Sequence, residues 1–130
     1  MTVAYKEIIY EVENGVATIT INRPDQLNAL TDLTQAEIRH ALEQSEINPD
    51  VVGTILTGAG RGFCSGVDMN ALGGMSEAGK ILGNNYEYLQ ADPGNPDNDP
   101  NYQSSPTYFL GLRKPLIAAI NGAAAGLGFS

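Results

Sequence analysis

The chain has 130 residues, 42% hydrophobic and 17% charged, which suits one folded domain and excludes a disordered chain. Fifteen acids against seven bases give a net charge of −8, which argues against nucleic acid as the main partner, since phosphate binding needs a basic face, and leaves room for one local basic spot. The single cysteine, Cys64, excludes an internal disulfide. The absence of an apolar leader or membrane-length run makes the expectation a cytoplasmic protein.

Residues 5–12 alternate loosely, with Ile8, Tyr10 and Val12 toward one face and Glu7, Glu11 and Glu13 toward the other. Asn14-Gly15 predicts a two-residue type I′ hairpin, and the β-branched run 16–21 is its return strand. Residues 22–30 read as an ordered loop. Thr31 is placed to cap a helix running to about residue 45, with Thr34, Ile38, Ala41, Leu42 and Ser45 on its inner stripe. Glu37, Arg39 and Glu43 fall outside that stripe. The only histidine, His40, reads as a solvated residue on the helix's outer part, with no metal-spaced partner.

Asn48-Pro49-Asp50 ends the helix and residues 51–56 form the next strand. Glycines at 58, 60 and 62 follow, then Phe63-Cys64-Ser65-Gly66-Val67-Asp68-Met69. Residues 75–89 carry a helical pattern. Residues 91–106, with four prolines, read as a surface loop or insertion, and residues 107–112 as a short helix. Pro115 opens a buried strand over 116–120. Asn121-Gly122 breaks it, and small residues with Gly126 and Gly128 suggest the start of a helix. The runs 16–21, 51–56 and 116–120 are then strands of one sheet, each followed by a turn and helical sequence, a weak strand-strand-helix repeat in an α/β chain.

Two places thus bring a strand into a glycine-rich turn, where backbone N–H groups can approach a ligand closely. Such donors suit an anion or an oxygen that becomes negative during a reaction. Read alone, each is better taken as a packed turn, with Asp68 in an Asx bond and Cys64 a small core residue.

Three stretches together carry a pattern: Asn22-Arg23-Pro24 with Leu27-Asn28-Ala29-Leu30, then Gly62-Phe63-Cys64-Ser65-Gly66-Val67-Asp68-Met69, then Lys114-Pro115-Leu116-Ile117-Ala118-Ala119-Ile120-Asn121-Gly122 with Gly126-Leu127-Gly128. In this order they resemble the crotonase superfamily, the enoyl-CoA hydratases and isomerases. The resemblance implies an α/β, crotonase-like superhelix of repeated strand-strand-helix turns. Residues 1–130 would be its N-terminal portion, a partial domain whose C-terminal part is missing. It also implies assembly as trimers or paired trimers.

The substrate implied is an acyl-CoA thioester. Coenzyme A is then part of the substrate, and no separate cofactor or metal is expected. By position, the N–H groups of Val67 and Leu127 would bind the thioester oxygen. Gln26, Leu27, Ala29, Ser65, Gly66, Asp68, Met69 and Gly126 match substrate- or CoA-binding regions. Gln26 stands where many members have lysine. Ser130 stands at the first family glutamate, where a serine without a partner is no general base near neutral pH. No residue among 1–130 matches a family catalytic acid.

Removing a proton beside a thioester, or adding water to its conjugated double bond, places negative charge on the carbonyl oxygen. Two fixed N–H donors stabilise that enolate more than the ground state. The expected activity is enoyl-CoA hydration or isomerisation, as in fatty acid metabolism. The alternatives are another reaction on the same scaffold, such as a ring-derived CoA isomerase or hydrolase, and a CoA-binding or assembly module without turnover. A dinucleotide site is disfavoured, because the glycines at 122, 126 and 128 do not match that fingerprint. A lone chain that stops at residue 130 is expected to expose apolar surface.

Overall fold

The computed structural model describes residues 4–66, 93, 109 and 111–125. Strand β1 (Ile8–Glu13) turns at Asn14 and Gly15 into β2 (Val16–Ile21). Both turn residues have positive φ, 52° and 83°, and Glu13 pairs with Val16, as a two-residue type I′ hairpin requires. Helix α1 (Asp32–Ile47) crosses over to β3 (Gly53–Gly58), which lies parallel to β2. A short strand, β4 (Gly62–Cys64), follows. Further on, β5 (Leu116–Ala118) joins β3 in parallel, and β6 (Ala123–Ala124) pairs in parallel with β4. The main sheet runs β1-β2-β3-β5.

One face of the sheet makes the core. In β2 the alternating residues Ala17, Ile19 and Ile21 are buried, while Val16, Thr18 and Thr20 are half-buried on the other face. Ile38, Ala41 and Leu42 of α1 pack on Ile8, Ile19, Ile21 and Leu56, with Leu30, Phe63 and Cys64 closing the same cluster. Each of the isoleucine, leucine and phenylalanine side chains contributes roughly 1.5–3 kcal/mol by leaving water. At the other end of the sheet, Ile117 and Ile120 remain 62% exposed.

Thr31 caps α1 as expected, its hydroxyl accepting from the Thr34 N–H and the Thr34 hydroxyl accepting in return from the Thr31 N–H. The Glu7 carboxylate accepts from both hydroxyls at this positive helix end. Glu7 also pairs with Arg23, whose Nε lies 3.2 Å from Oε2, and the Arg23 guanidinium donates to the Ala29 carbonyl. The helix start is thereby tied to the loop 22–30. At the helix end, Lys114 Nζ donates to the carbonyls of Ser45 and Asn48 at 2.7 and 2.6 Å. Glu46 accepts the N–H groups of Arg113 and Lys114. These bonds fix where the chain enters β5.

The structure corrects several sequence expectations. Glu37 is not on an outer face: it is 0% exposed, and its carboxylate accepts the N–H groups of Lys6 and Glu7 at 2.7 Å each. His40 is not solvated: it is 9% exposed and shares a 2.7 Å hydrogen bond with the Tyr5 hydroxyl. The segment before β1 lies across this side of the helix and covers both. Val12 is 41% exposed, despite its place in the alternation. The strand expected at 51–56 runs two residues later, because Val51 closes the turn after the helix by donating to the Asn48 carbonyl. Ala123 and Ala124 begin a strand, not a helix, because their backbone pairs with β4. At 107–112 the described part is a single turn, Leu112 N–H to the Phe109 carbonyl at 3.4 Å. The helix expected at 75–89 and the loop at 91–106, except Pro93, lie outside the described residues.

The Tyr5 ring meets Tyr10 and His40 edge-on, with centroids 6.3 and 5.7 Å apart. Burial first, then the neighbouring Tyr10 and Glu37, push the Tyr5 hydroxyl from about 10 up to about 12. The unfolded chain then releases this proton at lower pH than the folded one. The stability Tyr5 contributes is whole below pH ~10 and is lost as pH rises toward ~12. Alkaline unfolding should therefore be steeper in the wild type than in Tyr5→Phe. Matching stability curves for the two across that window would contradict this.

Candidate functional site

The three motif stretches meet at the C-terminal ends of β2 and β3. After β2 the chain enters a 3-10 turn, Pro24–Gln26, where Pro24 suits the first position. Leu27 and Asn28 then both take the left-handed conformation, with φ of 51° and 58°. Asparagine adopts it readily and leucine does not, so the neighbouring contacts hold Leu27 there. The Leu27 carbonyl accepts the Ser65 N–H at 3.1 Å, and the Leu30 N–H donates to the Gly66 carbonyl at 2.7 Å. The first stretch is thus stitched to the second.

The third stretch meets the second on its other side. Gly62 and Cys64 pair with Ala123 and Ala124, and the Ala125 N–H donates to the Cys64 carbonyl at 3.0 Å. Packing here is backbone on backbone. A Cβ at Gly122 would overlap the Arg61 carbonyl oxygen, and one at Gly58 would meet the carbonyls of Phe63 and Gly62 and the Asn28 amide. Gly66 has φ of 106°, a conformation that residues with a side chain rarely adopt.

Among the candidate residues, Gln26 and Ser65 are exposed, Leu27 is 39% exposed, and Ala29 and Gly66 are buried. The structure brings these five together along the paired segments 26–30 and 65–66. Val67, Asp68, Met69, Gly126, Leu127 and Ser130 lie outside the described residues. Cys64 is 2% exposed, and burial pushes its thiol up, away from the nucleophilic thiolate. Among the described residues, no three His, Cys, Asp or Glu side chains are grouped to hold a metal ion, and no helix is long and apolar enough to cross a membrane.

Sequence reasoning missed the residue at the centre of this junction. Asn28 is 0% exposed. Its Oδ1 accepts the Arg23 N–H at 2.8 Å, and its Nδ2 donates to the carbonyls of Ala59 and Gly62 at 2.9 and 2.7 Å. The available signal was its residue type: within a loop, asparagine combines an acceptor, two donors and tolerance of positive φ.

The sequence profile of the family described as Enoyl-CoA hydratase/isomerase matches residues 11–130. A probable enoyl-CoA hydratase of Mycobacterium tuberculosis is 37% identical over 129 residues, covering 97% of this chain and 43% of that protein. The 1,2-epoxyphenylacetyl-CoA isomerase of Escherichia coli is 35% identical over 127 residues, covering 93% of this chain and 42% of that protein. The crystal structure of a putative enoyl-CoA hydratase/isomerase from Acinetobacter baumannii superposes with a TM-score of 0.71 at 32% identity, covering 97% of this chain and 46% of the other. The chain therefore spans about two fifths of the length of the curated relatives it matches. With its α/β architecture, its three motif stretches joined at one edge of the sheet and a profile match over nearly its whole length, the chain belongs to the enoyl-CoA hydratase/isomerase family, the crotonase superfamily.

Proposed function

We propose that this chain supplies the thioester-binding side of an enzyme that hydrates or isomerises an acyl-CoA through a thioester enolate, with the amide N–H groups of Val67 and Leu127 as paired donors to the carbonyl oxygen. The observation that carries the reading is the junction itself. Gly66 is tied to Leu30 and Cys64 to Ala125. Val67 is one residue beyond Gly66, and Leu127 two beyond Ala125. At no more than ~3.6 Å per residue, the short chain lengths beyond this junction are compatible with the reading, which supports it.

In this reading the edge formed by Gln26, Leu27, Ala29, Ser65, Gly66, Asp68, Met69 and Gly126 receives the CoA thioester, and no cofactor beyond the substrate's own coenzyme is required. The names of the relatives span hydration and isomerisation of CoA thioesters, reactions that share charge development on the thioester oxygen. In this reading the proton is moved by a group other than Ser130. Residues 1–130 form part of a crotonase-like domain, and the assembled protein is a trimer or a pair of trimers.

Ser130 favours a second reading, a CoA-binding module without turnover. The two are separated by incubating the protein with butyryl-CoA in deuterated water. The enzyme reading expects both calorimetric binding and deuterium entering the carbon beside the carbonyl. Binding without exchange would leave the module, and absence of binding would overturn both.

A further inference from the structure

The turn from β3 to β4 runs from Gly58, the last residue of β3, through Gly60, with φ of 78°, to Gly62, the first residue of β4, and glycine by itself leaves such a turn conformationally free. Two carboxamides remove that freedom. Asn28 donates to the carbonyls of Ala59 and Gly62. From the opposite segment, Asn121 accepts the Gly58 N–H at 3.3 Å and donates to the carbonyls of Gly60 and Gly62 at 2.9 and 3.1 Å. Both side chains thus converge on the Gly62 carbonyl, whose two lone pairs can serve two donors. The two asparagines come from the first and third motif stretches, and the loop they grip leads directly into the second.

The geometry points to Asn28 and Asn121 as paired positioning residues: a two-sided amide clamp that fixes the 58–62 loop and, through β4, aims the Gly66–Val67 peptide at the substrate carbonyl. The inference rests on the acyl-CoA reading above. The residue type is specific. An aspartate keeps the acceptor but presents a carboxylate to carbonyl oxygens, and a serine cannot reach three partners. Clamping a donor before the reaction is what gives it more effect on the transition state than on binding.

Asn121 is exposed, so water can replace its bonds and the fold should survive Asn121→Ala. The test compares wild type, Asn121→Ala and Asn121→Asp by α-proton exchange kinetics and by the infrared band of butyryl-CoA carrying a carbon-13 carbonyl. Both variants are expected to lose about 10- to 100-fold in kcat with little change in KM. Their bound carbonyl band should move back toward its solution frequency. Variants that keep the wild-type rate and band would overturn the clamp, as would a lowered melting temperature with both readouts unchanged. A wild-type bound band already at the solution frequency is a separate outcome, which removes the oxyanion reading and the clamp with it.

Discussion

Replacing Gly66 with alanine is expected to slow α-proton exchange about 100-fold while leaving the protein folded. The Gly66 φ of 106° lies beyond the left-handed region that Leu27 and Asn28 occupy. Alanine would either hold that conformation at a cost of about 1–3 kcal/mol or turn φ toward negative values. Turning φ rotates the peptide that follows and so re-aims the Val67 N–H. The Gly66 carbonyl is bonded to Leu30 and the residue is buried, so the neighbouring chain cannot simply follow. Exchange is measured by NMR in deuterated water, with acyl-CoA affinity from calorimetry alongside. A loss of rate at nearly constant affinity is the expected pattern. Wild-type exchange in Gly66→Ala would mean that this peptide's direction does not matter.

The largest stability loss is expected from Asn28→Ala. The substitution strips partners from the Arg23 N–H and the Ala59 carbonyl, while the Gly62 carbonyl keeps Asn121. At these half-buried groups each lost hydrogen bond costs about 0.5–1.5 kcal/mol, and alanine at a φ of 58° adds about 1 kcal/mol. The expected total of about 2–4 kcal/mol is a large part of an ordinary domain's stability. Denaturant unfolding of Asn28→Ala and Asn28→Gly separates the terms, because glycine restores the backbone freedom and not the bonds. Both variants should be strongly destabilised, glycine slightly less. An alanine variant as stable as wild type would show that the fold does not depend on this side chain.

Local signals were legible wherever neighbouring residues decide the structure. Asn14-Gly15 dictated its hairpin, Thr31 its cap, and the stripe Thr34, Ile38, Ala41, Leu42 and Ser45 its buried face. The three motif stretches were legible as separate pieces, and the structure adds that they share one edge. What misled was non-local. No helical wheel reveals that residues 5–7 lie over Glu37 and His40, nor that a segment of small residues and glycine will pair with a three-residue strand sixty positions earlier. In the sequence Asn28 is legible as part of a motif and not as its fastener, because its partners at 59 and 62 come from the turn after another strand.

The most direct measurement is a crystal structure of the protein with a bound acyl-CoA, read at the thioester oxygen. The amide nitrogens of Val67 and Leu127 should both lie about 2.7–3.1 Å from it. A bound thioester whose oxygen is held by neither amide, or by only one, would contradict the account.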